Sequence, residues 1–273
     1  QSLIKKINNI LLKIVRRLTL THRKCGLALL IMHKENAVFW KKSPLRNGSS
    51  DDIMLRNGVV NMHDFPIFTT EYGVSSLVLK EIPYREEAYI HLQDVQQDFF
   101  QEHLQECVSF CRMAGAEKIY AAGHKKLEEY PLHTAVVQMR TVARVEEEKV
   151  KCLFPVTEQT VSRWRSICNE RMRNVPCAAT QTSKEEADIL KGDAYFVHRD
   201  GNLLGIGWIR DGELLAVAAV KPGAGETVMH TLMSIVEGST MTLEVASTNE
   251  RAIRLYERMG FLKTAELSRW YRV

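Results

Sequence analysis

Apolar and polar residues follow one another along the second half of the chain in a pattern that predicts regular secondary structure. Strands are expected at 151–157, 194–201, 202–212, 213–220, 241–248 and 262–273. Helices are expected at 158–174, 183–192, 227–238 and 249–260. In chain order this is β, α, α, β, β, β, α, β, α, β, which predicts an α/β fold of the α+β type.

The first half contains a shorter series of the same kinds of element. Strands are expected at 67–73, 74–82, 86–93, 117–123 and 134–142. A helix is expected at 98–116, ending at Gly115, and one or two helical turns at 124–131. A charge run at 146–149 separates the two halves.

One helix start carries a capping signal. Ser183 is predicted to cap the helix at 183–192, and Glu186 lies three residues later, which completes the Ser-x-x-Glu pattern of a capping box. Cys107 and Cys111 are four residues apart, so we expect both on one face of the helix at 98–116.

The composition is that of an ordinary globular protein with two domains of moderate size. The chain has 273 residues, of which 45% are apolar and 26% are charged. The sequence contains no run of 18 uncharged apolar residues, so we expect no membrane-spanning helix. The six cysteines form no C-x-x-C pair, so we predict reduced thiols, a cytoplasmic location and no metal site.

The net charge of +4 conceals an uneven distribution. Residues 1–50 hold eleven Lys and Arg but a single acid, Glu35, whereas acids outnumber bases in the rest of the chain. A nucleic-acid partner would depend on residues 1–50 alone and is therefore not favoured.

The basic segment leaves three interpretations open. Residues 1–20 have apolar positions at helical spacing with Lys and Arg between them, as in a helix that contacts an anionic membrane or in a targeting sequence. Alternatively, residues 1–53 are not part of the working protein, which then starts at Met54 or Met62. The polar stretch 43–52 is typical of a linker. We therefore expect residues 54–273 to fold without 1–53.

A glycine-bearing loop at 221–226 joins an apolar strand to a helix. Gly223 and Gly225 permit backbone conformations that side chains forbid, and the free amides of the following helix can bind an anion such as a pyrophosphate. An ordinary turn is the alternative. In the preceding strand, Ala216, Ala218 and Ala219 leave room for an extended pantetheine arm to lie along the backbone, or else pack in a dense core.

The helix at 249–260 places a tyrosine among apolar residues. Ala252, Ile253, Tyr256 and Met259 fall on one face. Tyr256 is either a core aromatic whose hydroxyl bonds a neighbour, or a functional group that meets the amides of 223–228 and the edge of 216–220.

These features, together with the ending N-x-x-A-x-x-L-Y-x-x-x-G-F from Asn249 to Phe261, resemble the GNAT superfamily of acetyl-CoA-dependent N-acetyltransferases over residues 150–273. The resemblance implies a mixed, mostly antiparallel sheet flanked by helices. It also implies that Tyr256 protonates the leaving CoA thiolate, that Asn249 contacts the cofactor and that loop amides hold the pyrophosphate. The cofactor-binding residues expected on this basis are Ala218, Val220, Gly223, Gly225, Glu226, Thr227, Val228, Asn249, Ala252 and Tyr256.

The loop departs from the pattern that the superfamily usually shows, [Q/R]-x-x-G-x-[G/A]. Pro222 is followed directly by Gly223-Ala224-Gly225, no Gln or Arg opens the loop, and Glu226 adds a negative charge where phosphates are expected. This departure puts tight CoA binding in question.

The first half resembles a truncated, degenerate copy of the second. The order of its elements from 98 to 142 matches that of 227–273, but 92–100 carries side chains where the superfamily has a glycine loop. We therefore expect three regions: a tail and linker at 1–53, a degenerate N-terminal domain at 54–145 and a complete N-acetyltransferase domain at 146–273. Acetyl-CoA is expected to bind only the last of these.

The resemblance predicts transfer of an acetyl group from acetyl-CoA to an amine by direct attack. Glu213 is the candidate general base, with a solvated strand-end carboxylate or a water chain as alternatives. The rival function is a non-catalytic acyl-CoA sensor or interaction scaffold with the same fold. The acceptor pocket has four candidate lining residues, each of which can equally lie in the core or on a helix surface: Trp164, Glu185, Glu186 and Trp208.

Overall fold

The structure is a computed structural model that describes residues 66–144 and 150–273, and a short antiparallel ladder between β1 (Ile31–Met32) and β2 (Val38–Phe39). Apart from that ladder, the basic segment 1–50 lies outside the described residues, and so do the linker 43–52 and the charge run 146–149.

The described chain divides into two compact units. The first contains residues 66–131 and Tyr271–Val273, and the second contains Leu132–Trp270 apart from 145–149. The sequence predicts the junction between residues 145 and 146. Two segments are assigned differently: the strand that follows Pro131 belongs to the second unit, and Tyr271–Val273 belong to the first.

The first unit is a small sheet with one long helix. Its elements are β3 (Ile67–Thr69), β4 (Gly73–Val78), α1 (Ile82–Arg85), β5 (Glu87–Val95), α2 (Phe100–Met113) and β6 (Lys118–Ala122). The strand order is β3-β4-β5-β6, with β5 and β6 parallel and the other pairs antiparallel. Tyr271 and Arg272 pair antiparallel with β6. A 3₁₀ turn, Lys125–Glu129, replaces the helical turn expected at 124–131.

Helix α2 packs its apolar face against this sheet. Leu104, Cys107 and Cys111 are buried in a cluster that also contains Ile90 and Ile119. The two cysteines share one face of the helix, as their spacing predicts, and both thiols are free. Burial raises the pKa of both thiols to about 12, so they stay protonated at neutral pH.

His103 is a fully buried polar residue on the same helix. Its Nδ1 lies 2.8 Å from the Thr70 hydroxyl and its Nε2 lies 2.7 Å from the Ser75 hydroxyl, so both ring nitrogens are satisfied. Burial lowers the pKa of His103 because the charged imidazolium is poorly solvated there. The folded first unit therefore favours the neutral ring.

We expect His103 to make the protein less stable in mild acid. The unfolded histidine titrates at about pH 6.5, and the folded one titrates lower, so this contribution is complete above that pH and is lost as the pH falls below it. The measurement is the urea unfolding free energy at pH 7.5 and pH 5.5 for the wild type and His103→Gln, whose amide can still bond both hydroxyls. An equal loss in both proteins would contradict the prediction.

The second unit contains seven strands and four helices among its described residues. They are β7 (Leu132–Val142), β8 (Cys152–Pro155), α3 (Val161–Met172), α4 (Glu186–Lys191), β9 (Asp193–Arg199), β10 (Asn202–Arg210), β11 (Glu213–Ala219), α5 (Gly225–Met233), β12 (Thr240–Ala246), α6 (Glu250–Arg258) and β13 (Leu262–Arg272). The last two residues of β13 belong to the first unit.

The strand order in the second unit is β13-β7-β12-β11-β10-β9-β8. β11 and β12 have a parallel ladder, whereas β8 to β11 are antiparallel to one another and β7 is antiparallel to β12. The predicted mixed, mostly antiparallel sheet flanked by helices is confirmed.

Two separate apolar clusters cover the two faces of this sheet. Val161, Trp164 and Ile189 bring α3 and α4 against one face. Val228 and Ile253 bring α5 and α6 against the other. Neighbouring residues of one strand contribute to opposite clusters, as alternating side chains do. No helix in the described part of the chain is long and apolar enough to cross a membrane.

The predicted capping box is wrong by one residue. Thr182, not Ser183, caps the 3₁₀ turn Ser183–Glu185 that leads into α4. The Thr182 amide donates to Glu185 Oε2 at 2.6 Å, and the Thr182 hydroxyl accepts from the Lys184 amide at 3.2 Å. Both pairs fit the same four-residue pattern, Thr182 with Glu185 and Ser183 with Glu186, and the local sequence does not distinguish them.

Candidate active site

A β-bulge interrupts β11 in the middle of the second unit. Trp208 of β10 pairs with Ala216, and the next residue, Ile209, pairs with Leu214. Leu215 is therefore an extra residue without an opposite partner, and such a bulge bends its strand and increases the local twist.

A cleft opens beside this bulge because β11 and β12 separate. Their parallel ladder contains only the pairs Glu213–Thr242 and Leu214–Leu243. Both strands lie wholly within the described residues, and both continue past the ladder, to Ala219 and Ala246, without pairing to each other. The backbone groups of 215–219 on this side therefore need another partner. An extended ligand with amide groups can provide one.

The glycine-bearing loop lies at the open end of the cleft. Gly223 has φ of +80°, a conformation that side chains disfavour, and no atom lies within 4 Å of a Cβ built there. Helix α5 begins at Gly225, and its N-cap residue, Ala224, provides no side-chain cap. The first helical hydrogen bond runs from the Val228 amide to the Ala224 carbonyl, so the preceding turn is suited to an anion.

Glu226 and Thr227, in the first turn of α5, have contacts one turn further along the helix. The Glu226 carboxylate lies 3.9 Å from His230 Nε2, one turn further on. The Thr227 carbonyl accepts from the Thr231 hydroxyl at 2.7 Å.

Tyr256 lies on the buried face of α6, as the apolar spacing predicts. Its side chain is 8% exposed and its ring lies 5.8 Å from that of Phe261. Among the described residues, none forms a hydrogen bond with the Tyr256 hydroxyl. Burial raises the pKa of Tyr256 to about 12, so the hydroxyl keeps its proton at neutral pH. A packed tyrosine with an uncommitted proton can serve as an acid for a bound group.

Asn249 is the N-cap of α6. Its Oδ1 accepts from the Ala252 amide at 3.3 Å, which commits the oxygen of the amide to the helix start. The side-chain nitrogen carries the donors that remain for a ligand. Ala252 itself is half-buried and packs against the core of α5 and α6.

The other residues predicted to bind the cofactor or to act as the general base lie on or near β11, but not all on the same face or at the same end. Ala218 packs against Trp164 and Ile206 on the face that α3 covers. Val228 is fully buried, and Val220 follows the strand at the loop end. Glu213 begins the strand at its paired end, about 20 Å from the loop at 3.3 Å per residue.

The four residues considered for an acceptor pocket have structural contacts. Trp164 and Trp208 are fully buried, with their rings in edge-to-face contact at 6.1 Å. Glu185 forms the capping box described above, and Glu186 pairs with Arg165 at 2.9 Å. These contacts correspond to the core and helix-surface alternatives.

Two residues near the cleft were not found from the sequence. Arg171, in the last turn of α3, donates from Nη2 to the Val220 carbonyl at 3.0 Å, immediately before the loop. No carboxylate among the described residues forms an ion pair with Arg171. Thr134 of β7 is fully buried beside the turn that precedes α6. Neither residue lies in a motif, so the sequence carries no signal for them.

Neither a protein-family model nor a curated protein sequence matches the chain. Solved structures do match its fold. A proposed acetyltransferase from Pyrococcus horikoshii aligns over 82% of this chain and 77% of its own length, with a TM-score of 0.52 and 12% identity. A GCN5-related N-acetyltransferase from Anabaena variabilis aligns over 82% of this chain and 66% of its own length, with a TM-score of 0.52 and 9% identity.

The chain therefore has the fold of the GCN5-related N-acetyltransferases, and the resemblance that the sequence predicts is confirmed at the level of fold. The interpretation of residues 54–145 as a degenerate copy stays a prediction. The roles of individual residues rest on the geometry of the second unit.

Proposed function

We propose that the protein is an N-acetyltransferase that moves an acetyl group from acetyl-CoA to an amine by direct attack. The observation that carries the proposal is the buried Tyr256 hydroxyl, which has no hydrogen-bond partner among the described residues. It belongs to the same apolar cluster as Val217 and Ala219, which follow the bulge in β11. This arrangement suits protonation of a leaving thiolate.

The loop and the cleft suit two different parts of acetyl-CoA. The uncapped start of α5 and the bare backbone at Gly223 suit the pyrophosphate. The unpaired side of 215–219 suits the two amides of the pantetheine arm, which can bond a strand edge as another strand does. Asn249 contributes its side-chain N–H groups at the start of α6.

Arg171 places a guanidinium beside a loop that contains no Gln or Arg of its own. Its guanidinium is held against the Val220 carbonyl by one N–H, and a guanidinium has four further N–H donors for phosphate oxygens. In this proposal α3 replaces the Gln or Arg with which the loop usually opens in the superfamily.

The ammonium substrate loses two protons on its way to the amide, and the departing sulfur takes up one. An alkyl ammonium with a pKa of about 10 must first lose a proton, to Glu213 or to a water chain. The neutral amine nitrogen then attacks the thioester carbon and forms the C–N bond. The C–S bond breaks, and the nitrogen releases its second proton to solvent to become the amide N–H. The thiolate takes the Tyr256 proton, and exchange with solvent restores it. Backbone amides along 215–219 polarise the carbonyl oxygen during the attack.

A non-catalytic acyl-CoA sensor or scaffold is the second candidate. The observation that favours it is the use of Asn249 Oδ1 as a helix cap, together with a loop that contains Glu226 and no Gln or Arg. Both candidates bind acyl-CoA, and only the enzyme releases the thiol. A cytoplasmic location, which the reduced thiols favour, stays a prediction.

The test combines a binding and a turnover measurement on the full chain. Calorimetric titration with acetyl-CoA is expected to show one site per chain, because residues 92–100 provide no glycine loop. Release of free CoA thiol is then followed over a panel of small and amino-acid-like amines. Thiol release that depends on an amine supports the enzyme, binding without release supports the sensor, and two sites per chain contradict the assignment of the first half.

Replacing Arg171 with methionine is expected to weaken acetyl-CoA binding by about three- to tenfold. That is the usual contribution of a partly solvated, charge-assisted contact. The matched control is Arg173→Met, which removes the same charge from an exposed residue two positions further on. Calorimetry at two salt concentrations should show the larger salt dependence in the wild type. Equal affinities of the wild type and Arg171→Met would contradict the role.

A further inference from the structure

Strand β7 holds the turn that leads into α6. The Thr134 hydroxyl lies 3.0 Å from the Thr248 hydroxyl and 3.4 Å from the Ser247 hydroxyl. On the next residue, the Ala135 amide donates to the Ser247 hydroxyl at 3.0 Å, and the Ala135 carbonyl accepts from the Ser247 amide at 2.7 Å. Thr134 is fully buried, so water does not replace these contacts.

This turn determines where α6 begins. Asn249 follows directly and caps the helix, and its own amide donates to the Ala246 carbonyl at 2.9 Å. The Asn249 carbonyl then accepts the first helical hydrogen bond, from the Ile253 amide at 3.1 Å. The path from the Thr134 hydroxyl to Tyr256 therefore consists of one capped turn and two turns of helix.

We propose that Thr134 is a positioning residue that directs the Tyr256 hydroxyl toward the reacting sulfur. The inference rests on the proposed acetyl transfer. It makes β7, which lies outside the stretch that resembles the superfamily in sequence, part of the catalytic unit. The role depends on the hydroxyl rather than on the size of the side chain, because valine has nearly the same shape but bonds neither Ser247 nor Thr248.

The length of the helix amplifies a small change at the turn. Tyr256 is seven residues beyond Asn249, which corresponds to about 10 Å along the axis at 1.5 Å per residue. A tilt of about 6° at the turn therefore moves the Tyr256 hydroxyl by about 1 Å, and a misplacement of that size can lower a rate by up to about a hundredfold. Of the groups proposed to hold acetyl-CoA along its length, Asn249 alone lies next to this turn, whereas the glycine loop precedes a different helix, α5, so acetyl-CoA affinity should change much less than kcat.

The test uses Thr134→Val and Thr134→Ser in the full chain, each with and without Tyr256→Phe. We expect Thr134→Val to lower kcat about tenfold, with the acetyl-CoA KM within about twofold of the wild type. Thr134→Ser, which keeps the hydroxyl, should restore most of kcat. In the Tyr256→Phe background, Thr134→Val should have less than about a twofold effect, because the hydroxyl that it positions is gone.

A control and a second readout keep the outcomes distinct. The Thr264 hydroxyl on β13 bonds Gln138 of β7, the strand that also carries Thr134, but it does not contact the turn before α6. Thr264→Val should therefore leave kcat unchanged. Hydrogen exchange of the peptide covering 247–258 should be faster in Thr134→Val than in the wild type and normal in Thr134→Ser. If Thr134→Val fails to fold, Ser247→Ala, which removes the hydroxyl on the opposite side of the contact, takes its place.

Three results would overturn the inference: an unchanged kcat in Thr134→Val, the same loss of kcat with and without Tyr256→Phe, or unchanged exchange at 247–258. An inactive wild type would refute the proposed acetyl transfer. In that case the exchange measurement alone decides whether Thr134 holds the start of α6.

Discussion

Replacing Tyr256 with phenylalanine is expected to lower kcat by about a hundredfold and to leave acetyl-CoA affinity nearly unchanged. Phenylalanine keeps the ring that packs on Phe261, so α6 should keep its place in the core. Only the hydroxyl is lost, and a general acid typically contributes about 10²–10⁴-fold to the rate. The measurement is kcat and KM for the wild type and Tyr256→Phe with the same accepted amine, at a temperature where both are folded.

The stability of Tyr256→Phe separates the two roles of this residue. No described residue bonds the hydroxyl, so its removal should leave no buried group unpaired and should change the unfolding free energy by less than about 0.5 kcal/mol. Tyr195→Phe is the matched control, because Tyr195 is a partly buried tyrosine of the same unit whose hydroxyl bonds Asp193 at 3.3 Å. Equal kcat values for the wild type and Tyr256→Phe would assign Tyr256 to packing alone.

Replacing both Gly223 and Gly225 with valine is expected to weaken acetyl-CoA binding by about a hundredfold. At Gly223 the φ of +80° strains any β-branched residue. At Gly225 a Cβ would lie 3.2 Å from Leu255 Cδ2, so a branched side chain must displace Leu255. Both side chains also cover the amides proposed to hold the pyrophosphate. Calorimetric titration of the double variant checks the prediction.

The control for this loop is Gly238→Val. Gly238 has φ of +75° and, like Gly223, no atom within 4 Å of a built Cβ, but it lies beyond the end of α5. Gly238→Val therefore introduces the same kind of backbone strain away from the cleft. The affinity of this variant for acetyl-CoA should equal that of the wild type. Binding that survives substitution at both Gly223 and Gly225 would show that the loop does not hold the pyrophosphate.

The elements of the fold were largely predictable because each depends on a local pattern. Helix α6 and strand β12 begin and end within two residues of their predicted bounds. Local patterns do not determine which strands pair with each other in the sheet. The pattern at 134–142 predicts a strand, but its place between β12 and β13 depends on contacts with residues about a hundred positions away.

The residues of the candidate site also differ in whether a local sequence pattern could identify them. Tyr256, Gly223 and Gly225 belong to motifs within one turn or one helix, so the sequence singles them out. Arg171 and Thr134 act on residues 49 and 114 positions away, and each is an ordinary residue in its own segment. Physical contact, rather than local pattern, brings them to the cleft.

The most direct measurement is the simultaneous assay of free CoA thiol and N-acetylated amine, with the full chain, acetyl-CoA and a panel of amines. We expect that at least one amine is acetylated, that thiol and product form in equal amounts, and that Tyr256→Phe slows both by about the same hundredfold factor. Thiol release without acetylated amine would indicate hydrolysis. Tight acetyl-CoA binding with neither product over the whole panel would contradict the proposed acetyl transfer and indicate a binding scaffold.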